Sequence, residues 1–158
     1  MPNAVMLSGP WTAAEIRIPN GVGLRPITEA DLESVGHAYW RTYFGTTNQM
    51  TSPEAAEDIM SSWRGVYGRW LTNASLGAWC GDELVGAILT VSDAPWPDIP
   101  KGAFIIDLFV IPQARRRGVG RVLVQAAWAE CPSGLSLRVD ATAVEASALY
   151  THLGFTLD

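Results

Sequence analysis

Three consecutive arginines and two glycines, Arg115-Arg116-Arg117-Gly118-Val119-Gly120, stand directly ahead of a run of helical period, with a fourth arginine, Arg121, just inside it. This arrangement suits a pyrophosphate. Several backbone N–H groups must meet the ligand at once, and a helix N-terminus offers them free of intrahelical partners. Glycine removes the Cβ that would hold phosphate oxygens away. Arginines add charge and forked donors. A GxG alone is common, and a run of arginines is usually a solvated face; the order strand, arginine turn, GxG, amphipathic helix is more specific. The competing phosphate motifs, GxxxxGK[ST] and GxGxxG, are both missing from the sequence. Eleven basic against 16 acidic residues give a net charge of −5. This disfavours nucleic acid as a partner and leaves the arginine turn as a local cationic spot for a compact anion.

A second chemical signal is Asp107, which interrupts the otherwise apolar run Ala103–Ile111. A carboxylate in a strand buried on both faces is costly unless it is solvated or partnered. It is either a proton acceptor or cation holder, or a structural hydrogen-bonding group at a strand bulge. His37 and His152 are isolated, and Cys80 and Cys131 show neither metal-ligand nor CxxC spacing, so no metal site is expected. No GxSxG elbow points to a covalent nucleophile.

The elements that must position these groups follow from periodicity. Glu15–Arg25 reads as a hairpin turning at Pro19-Asn20-Gly21. Thr28 caps a helix striped by Leu32, Val35, Tyr39 and Tyr43, and Ser52-Pro53-Glu54 opens a second that continues through Ile59, Trp63, Val66, Tyr67 and Trp70. Leu76–Cys80 and Leu84–Val91 are strands joined at Gly81-Asp82. Asp93–Lys101, with three prolines, is an irregular loop. Gly118–Glu130 is a helix and Leu135–Val139 a strand. Thr142-Ala143-Val144-Glu145 reads as a capping box for a last helix closed by Gly154, after which Phe155–Asp158 begins a strand. The sum is a mixed α/β (α+β) domain: a central sheet flanked by helices, residues 22–158, preceded by an extension, 1–21, that holds the start of the hairpin. With 158 residues, 48% hydrophobic and 17% charged, it can bury a sizeable core as one domain. No window reaches the ~18 apolar residues of a membrane span, and the N-terminus lacks a signal-peptide pattern. No membrane association and a cytoplasmic location are expected.

Taken in order, these segments resemble the GNAT superfamily of N-acetyltransferases. Leu24-Arg25-Pro26-Ile27-Thr28 with Ala30-Asp31-Leu32 is similar to the family's opening strand and helix, and Leu84-Val85-Gly86 to its next hairpin. Asp107-Leu108-Phe109-Val110-Ile111-Pro112 with the arginine loop is similar to its acetyl-CoA motif. Ala146, Leu149-Tyr150 and Gly154-Phe155 are similar to its closing helix. The resemblance implies acetyl-CoA as cosubstrate and direct attack by a primary amine of a small molecule or peptide. The backbone at Phe109 and Val110 would pair with the pantetheine arm where the family's fourth and fifth strands splay, and Arg115, Arg116, Arg117, Gly118, Val119, Gly120 and Arg121 would hold the pyrophosphate. Tyr150 would lie near the thioester sulfur as general acid, its reference pKa near 10 lying above the thiol's of about 8.5; the other reading is a core tyrosine. On the residues themselves, apart from the resemblance, Asp107 is the first candidate for a proton acceptor beside its structural reading, Asp140 is a weaker second, and Glu145 reads as a helix cap.

Two departures stand out. Ala143 replaces the family's frequent asparagine, and the closing hairpin is cut to its first strand. The N-terminal segment, or a second subunit in a homodimer, is expected to cover the edge so left. Of the seven Trp, four Tyr and four Phe, Tyr39, Trp40, Tyr43, Phe44, Trp63, Tyr67 and Trp70 fall on the two early helices, with Trp96 in the proline-rich loop the best exposed candidate for contact with an acceptor. Two rival readings remain: an acyl-CoA-binding module without catalysis, and a modifier of charged tRNA or a ribosomal protein.

Overall fold

The eighth residue of an apolar run and the first glycine of a helix meet at one place in this fold, and the rest of the chain holds them there. The computed structural model describes residues 4–11, 15–140 and 142–157. In chain order the elements are β1 (Ala4–Gly9), β2 (Val22–Pro26), α1 (Leu32–Tyr43), α2 (Ser52–Trp63), β3 (Arg69–Trp70), β4 (Leu76–Cys80), β5 (Glu83–Ser92), β6 (Ala103–Val110), α3 (Val119–Ala129), β7 (Leu135–Asp140), α4 (Val144–Leu153) and β8 (Thr156–Leu157). The strands form one mixed sheet in the order β2-β4-β5-β6-β7-β1-β8, with β3 added alongside β5.

β5 is the spine. From Leu84 to Ser92 every residue is buried. Successive side chains point to opposite faces, so both faces of the sheet are covered here. Val35 and Ala38 of α1, and Val119, Leu123, Val124 and Ala127 of α3, belong to the core built on it. Where α1 crosses α2, Gly36 lets the backbones approach: a Cβ there would stand 3.3 Å from Ala56 Cα. That crossing sets the side chains of the two helices against one another near the C-terminal half of β6.

Several expected boundaries move. The hairpin over Glu15–Arg25 does not form. Glu15–Pro19 carry no strand, and only β2 pairs, with β4. The turn is present, with Val22 N–H donating to Pro19 O. However, Ile16 and Ile18 have no second sheet face to fill, and Ile18 is half exposed. The second helix is capped by Thr51 rather than Ser52: Thr51 and Glu54 exchange the reciprocal hydrogen bonds of a capping box. It ends at Trp63, because Gly65 and Gly68 adopt positive φ, and Trp70 joins β3 instead. The capping box at Thr142 is not made, since Thr142 donates its N–H and its hydroxyl to Asp140 Oδ1. Glu145 is thereby not a cap.

The N-terminal extension supplies a strand that the sequence pattern did not reveal. β1 runs antiparallel to β7 from Ala4↔Asp140 to Gly9↔Leu135. Its other edge takes β8, at Leu7↔Leu157 and Ser8↔Thr156. The C-terminal strand is therefore covered by the segment expected to cover it. Trp128 of α3, 1% exposed, fixes the exit of β1 by donating its indole N–H to Gly9 O at 3.0 Å. Trp11 then packs against the same ring.

Candidate active site

β6 and β7 are parallel neighbours for only two pairs, Phe104↔Ser136 and Ile105↔Leu137. Beyond Ile105 they part, and the β7-facing edge of β6 from Asp107 to Val110 is left without a strand partner. On its other edge β6 stays paired with β5 as far as Gly86↔Val110. The opening is a cleft of about 600 Å³.

Four elements close it. The floor is Leu108, Phe109 and Val110 of β6. One end is the arginine turn and the first turn of α3, the far wall is Ala146, Leu149 and Tyr150 of α4, and Thr42 and Tyr43 of α1 complete it. Of the residues expected to hold a pyrophosphate, Arg115, Arg116, Gly118, Val119, Gly120 and Arg121 line this cleft. Arg117 does not line it and is exposed. Phe109 and Val110 also line it, as does Tyr150.

The local backbone explains the loop. Pro112–Ala114 forms a short 3-10 turn that stops β6. Gly118 is the N-cap of α3 at φ 83°, a left-handed conformation that favours glycine, and Arg116, two residues earlier, bears the strain of the same region at φ 65°. The first intrahelical bond of α3 runs from Val122 N–H to Gly118 O. The N–H groups of Val119, Gly120 and Arg121 therefore have no intrahelical acceptor and carry the positive end of the helix dipole. A Cβ on Gly120 would meet only Val110 Cγ2, at 3.7 Å, so the backbone there is accessible from the cleft. Arg115 folds back, its Nε donating to Val110 O at 3.1 Å. A pyrophosphate with a hydrogen-bonding arm fits these donors: free N–H groups and arginines at one end, an unpaired strand edge leading away from it.

Asp107 sits where the sheet bends. The β5–β6 register passes from Leu89↔Asp107 to Thr90↔Ile105, making Ile106 the extra residue of a bulge. Bulges re-aim side chains. Asp107 lies toward the tyrosines of α1 and α4, whose hydroxyls feel its charge. Burial pushes the Asp107 carboxyl up to about 7, and the charge of Asp58 adds to this, while the Tyr39 hydroxyl, whose hydrogen is donated to Asp58 Oδ2 at 2.9 Å, opposes it. Burial, with Asp107 helping, pushes the Tyr150 hydroxyl up to about 12. Tyr43 reaches about 12 for the same two reasons, with Tyr150 adding and Arg115 opposing. Asp140, the second candidate base, is held below the usual carboxylate range by its bonds from Thr142.

Asp58 was not evident from sequence. It is one acid on an ordinary helix, and only the α1–α2 crossing brings it to Tyr39. Thr42 was equally silent. Glu145, expected as a cap, instead lines the cleft. Trp96 stacks on Tyr67 at 5.9 Å between ring centroids and is 38% exposed. No helix among the described residues is long and apolar enough to cross a membrane.

Comparison with known proteins agrees with this geometry. The sequence pattern of the acetyltransferase (GNAT) family matches residues 32–155. No curated protein matches the sequence. Among solved structures, a GCN5-related N-acetyltransferase from Sphaerobacter thermophilus superposes with a TM-score of 0.65 at 18% identity, covering 98% of this chain and 48% of its own. This chain thus spans about half the length of that protein. The ribosomal-protein-S18-alanine N-acetyltransferase of Escherichia coli gives 0.65 at 20% identity over 85% of this chain and 77% of its own. The protein yncA of Salmonella typhimurium, solved with its cofactor acetyl-CoA, gives 0.62 at 14% identity over 87% and 80%. At these identities the structural likeness speaks for the fold.

Proposed function

Because this chain belongs to the acetyltransferase (GNAT) family, whose members use acetyl-CoA, we propose that it transfers the acetyl group to a primary amine of a small molecule or peptide by direct attack. The observation that carries this reading is the splay of β6 from β7 beside the free N-terminus of α3. It supplies an extended edge for the pantetheine arm at Phe109 and Val110, and donors for the pyrophosphate at Arg115, Arg116, Gly118, Val119, Gly120 and Arg121. Arg117, outside the cleft, adds long-range attraction only. Acetyl-CoA, when bound, supplies the thioester carbonyl that the amine attacks.

The residues of the chain then divide the work. Asp107, with a proton affinity near neutrality, accepts a proton from the incoming ammonium and frees the lone pair. Backbone N–H groups near Val110 stabilise the oxyanion. As the C–S bond breaks, Tyr150 donates to the departing sulfur. A hydroxyl near 12 is the weaker acid against a thiol of about 8.5, so its main contribution is a strong hydrogen bond to developing negative charge. Solvent completes the protonation. The acylated nitrogen gives up its remaining extra proton to solvent as the C–S bond breaks, Asp107 returns its own proton to water, and the amide leaves.

The test is a thiol-release assay with acetyl-CoA across amino acids, polyamines, aminoglycosides and peptides, on wild type and Asp107→Asn. Acceptor-dependent thiol release that is lost in Asp107→Asn is expected. Tight CoA binding with no release on any acceptor favours the rival reading as a binding module. Ala143 in place of the family's frequent asparagine is the observation on that side.

A further inference from the structure

The loop between β5 and β6 brings a tryptophan to the face of the sheet that carries Asp107. Phe104 stands opposite Val91, Asp107 opposite Leu89 and Phe109 opposite Ala87. Val91, Leu89 and Ala87 alternate along β5 and share one face, so Phe104, Asp107 and Phe109 share it too. It is the face covered by α1, since Tyr39 packs on Phe109 at 5.2 Å between centroids. Trp96 meets Phe104 edge to face at 6.5 Å, with its own ring stacked on Tyr67 at 5.9 Å. The loop is pinned. Asp93 N–H donates to Gly102 O and Gly102 N–H to Asp93 Oδ1, which clasps the base. Ile99 is buried in a small cluster with Val91 and Phe104, and Arg138 of β7 donates to Asp98 Oδ2 at 2.7 Å. Tyr67 is fixed in turn by donating to Asp58 Oδ1 at 2.7 Å, while the other oxygen of Asp58 takes the Tyr39 hydroxyl at 2.9 Å.

We propose that Trp96, backed by Tyr67 and Asp58, is the subsite for a second cation on the acceptor, so that the amine acetylated is one end of a long diamine or polyamine. This rests on the reading of the chain as an amine acetyltransferase. An indole 38% exposed on a pinned loop offers a cation its ring face with little ordering cost. The charge behind it agrees. Asp58 is half-buried, and among the described residues it has no salt-bridge partner. Both its oxygens take phenolic hydrogens, which satisfy them and leave the charge uncompensated. The helix that carries it, α2, holds Glu54, Glu57 and Asp58 and no basic residue. With the four arginines of the turn set aside, seven basic residues remain in the chain against 16 acidic. The turn therefore draws the anion and the rest of the surface favours a cation. Spacing follows from β6. Asp107 lies three residues beyond Phe104, roughly 10 Å along a strand. One ammonium at Trp96 and a reacting amine at Asp107 need a long linear chain between them.

The test compares linear diamines of increasing length with monoalkylamines of equal length, by thiol release from acetyl-CoA. Wild type is expected to favour long diamines over monoamines by about tenfold in kcat/KM, with KM carrying the difference. Trp96→Ala is expected to raise the diamine KM by about tenfold, leaving kcat and CoA affinity unchanged and the monoamine KM nearly so. Asp58→Asn keeps the shape and removes the charge, and is expected to lower the diamine preference as well. A merely structural loop, once disturbed, raises both KM values together. Equal kcat/KM for diamine and monoamine in wild type, or a preference untouched by Trp96→Ala, overturns the proposal. Should Trp96→Ala fail to fold, Asp58→Asn decides alone: a lowered preference supports the subsite, and an unchanged one overturns it. Failure of the underlying reading looks different. In that case no amine releases thiol, while calorimetry on the CoA-saturated protein still shows diaminooctane binding that Trp96→Ala weakens. Absence of that binding overturns the subsite too.

Discussion

Substitution separates the parts played by Tyr150 and Asp107. Tyr150 is buried and packs edge-on against Phe155, at 5.9 Å between centroids. Tyr150→Phe keeps that contact and loses one hydroxyl. Its kcat is expected to fall by about a hundredfold, with acetyl-CoA affinity unchanged, by steady-state kinetics and calorimetry. Tyr150→Ala is expected also to lower Tm. Wild-type kcat in the Phe variant, with chemistry shown to be rate-limiting, removes Tyr150 from the reaction. Asp107 can be read from stability alone. Its carboxyl goes from an ordinary 3.8 to about 7 on folding, so between those values the folded state binds more protons than the unfolded one. Stability is lost as pH rises through that window. Asp107→Asn does not titrate. The Tm of the variant relative to wild type is therefore expected to climb from pH 4 to pH 8 and level off, and a flat difference across that range contradicts a raised proton affinity at the half-buried Asp107.

At the scale of elements, the turn from β6 to α3 was the most legible part of the chain, because its chemistry is local. Arginines, glycines and the onset of helical period lie within a few residues, and the turn and helix start form where the pattern put them, with Arg117 alone of the arginines outside the cleft. Gly120 makes the sharpest test. A Cβ there has room in the protein, so Gly120→Leu is expected to fold with near-wild-type Tm while pointing into the cleft. CoA affinity is expected to drop more than tenfold, over about 1.4 kcal/mol, by calorimetry; unchanged affinity sinks the loop assignment. What was illegible was long-range or competitive. The capping box at Thr142 failed because Asp140, two residues earlier, offered the better acceptor. The alternation of Ile16 and Ile18 suggested a strand, but a period of two shows only that a strand is sterically comfortable, not that an edge is there to receive it. Nothing in the helix that carries Asp58 marks it, because its partner Tyr39 comes from a helix that crosses over it.

For the whole molecule, the governing feature is the path of β1. It lies between β7 and β8, with Leu7 buried and Gly9 O accepting from the Trp128 indole. Deleting residues 1–11 uncovers an edge of β7, leaves β8 without its partner strand and orphans a buried N–H. The loss is expected to be on the order of 3 kcal/mol, read by denaturant unfolding, together with collapse of amide protection in β8. A truncated protein of unchanged stability contradicts the role given to β1. The same path bears on how the chain reaches this state. Ala4 pairs with Asp140, so the strand synthesised early in the domain has no partner until most of the domain has followed it. That pairing has a far greater sequence separation than the β4–β5 or β5–β6 contacts, and loop-closure entropy weighs against it until the rest is in place. The β2–β6 half of the sheet can assemble first, from neighbours. The cleft beside the arginine turn depends on β7 standing apart from β6, and β7 is held on its far side by β1, so the cleft would take its final shape only when β1 docks.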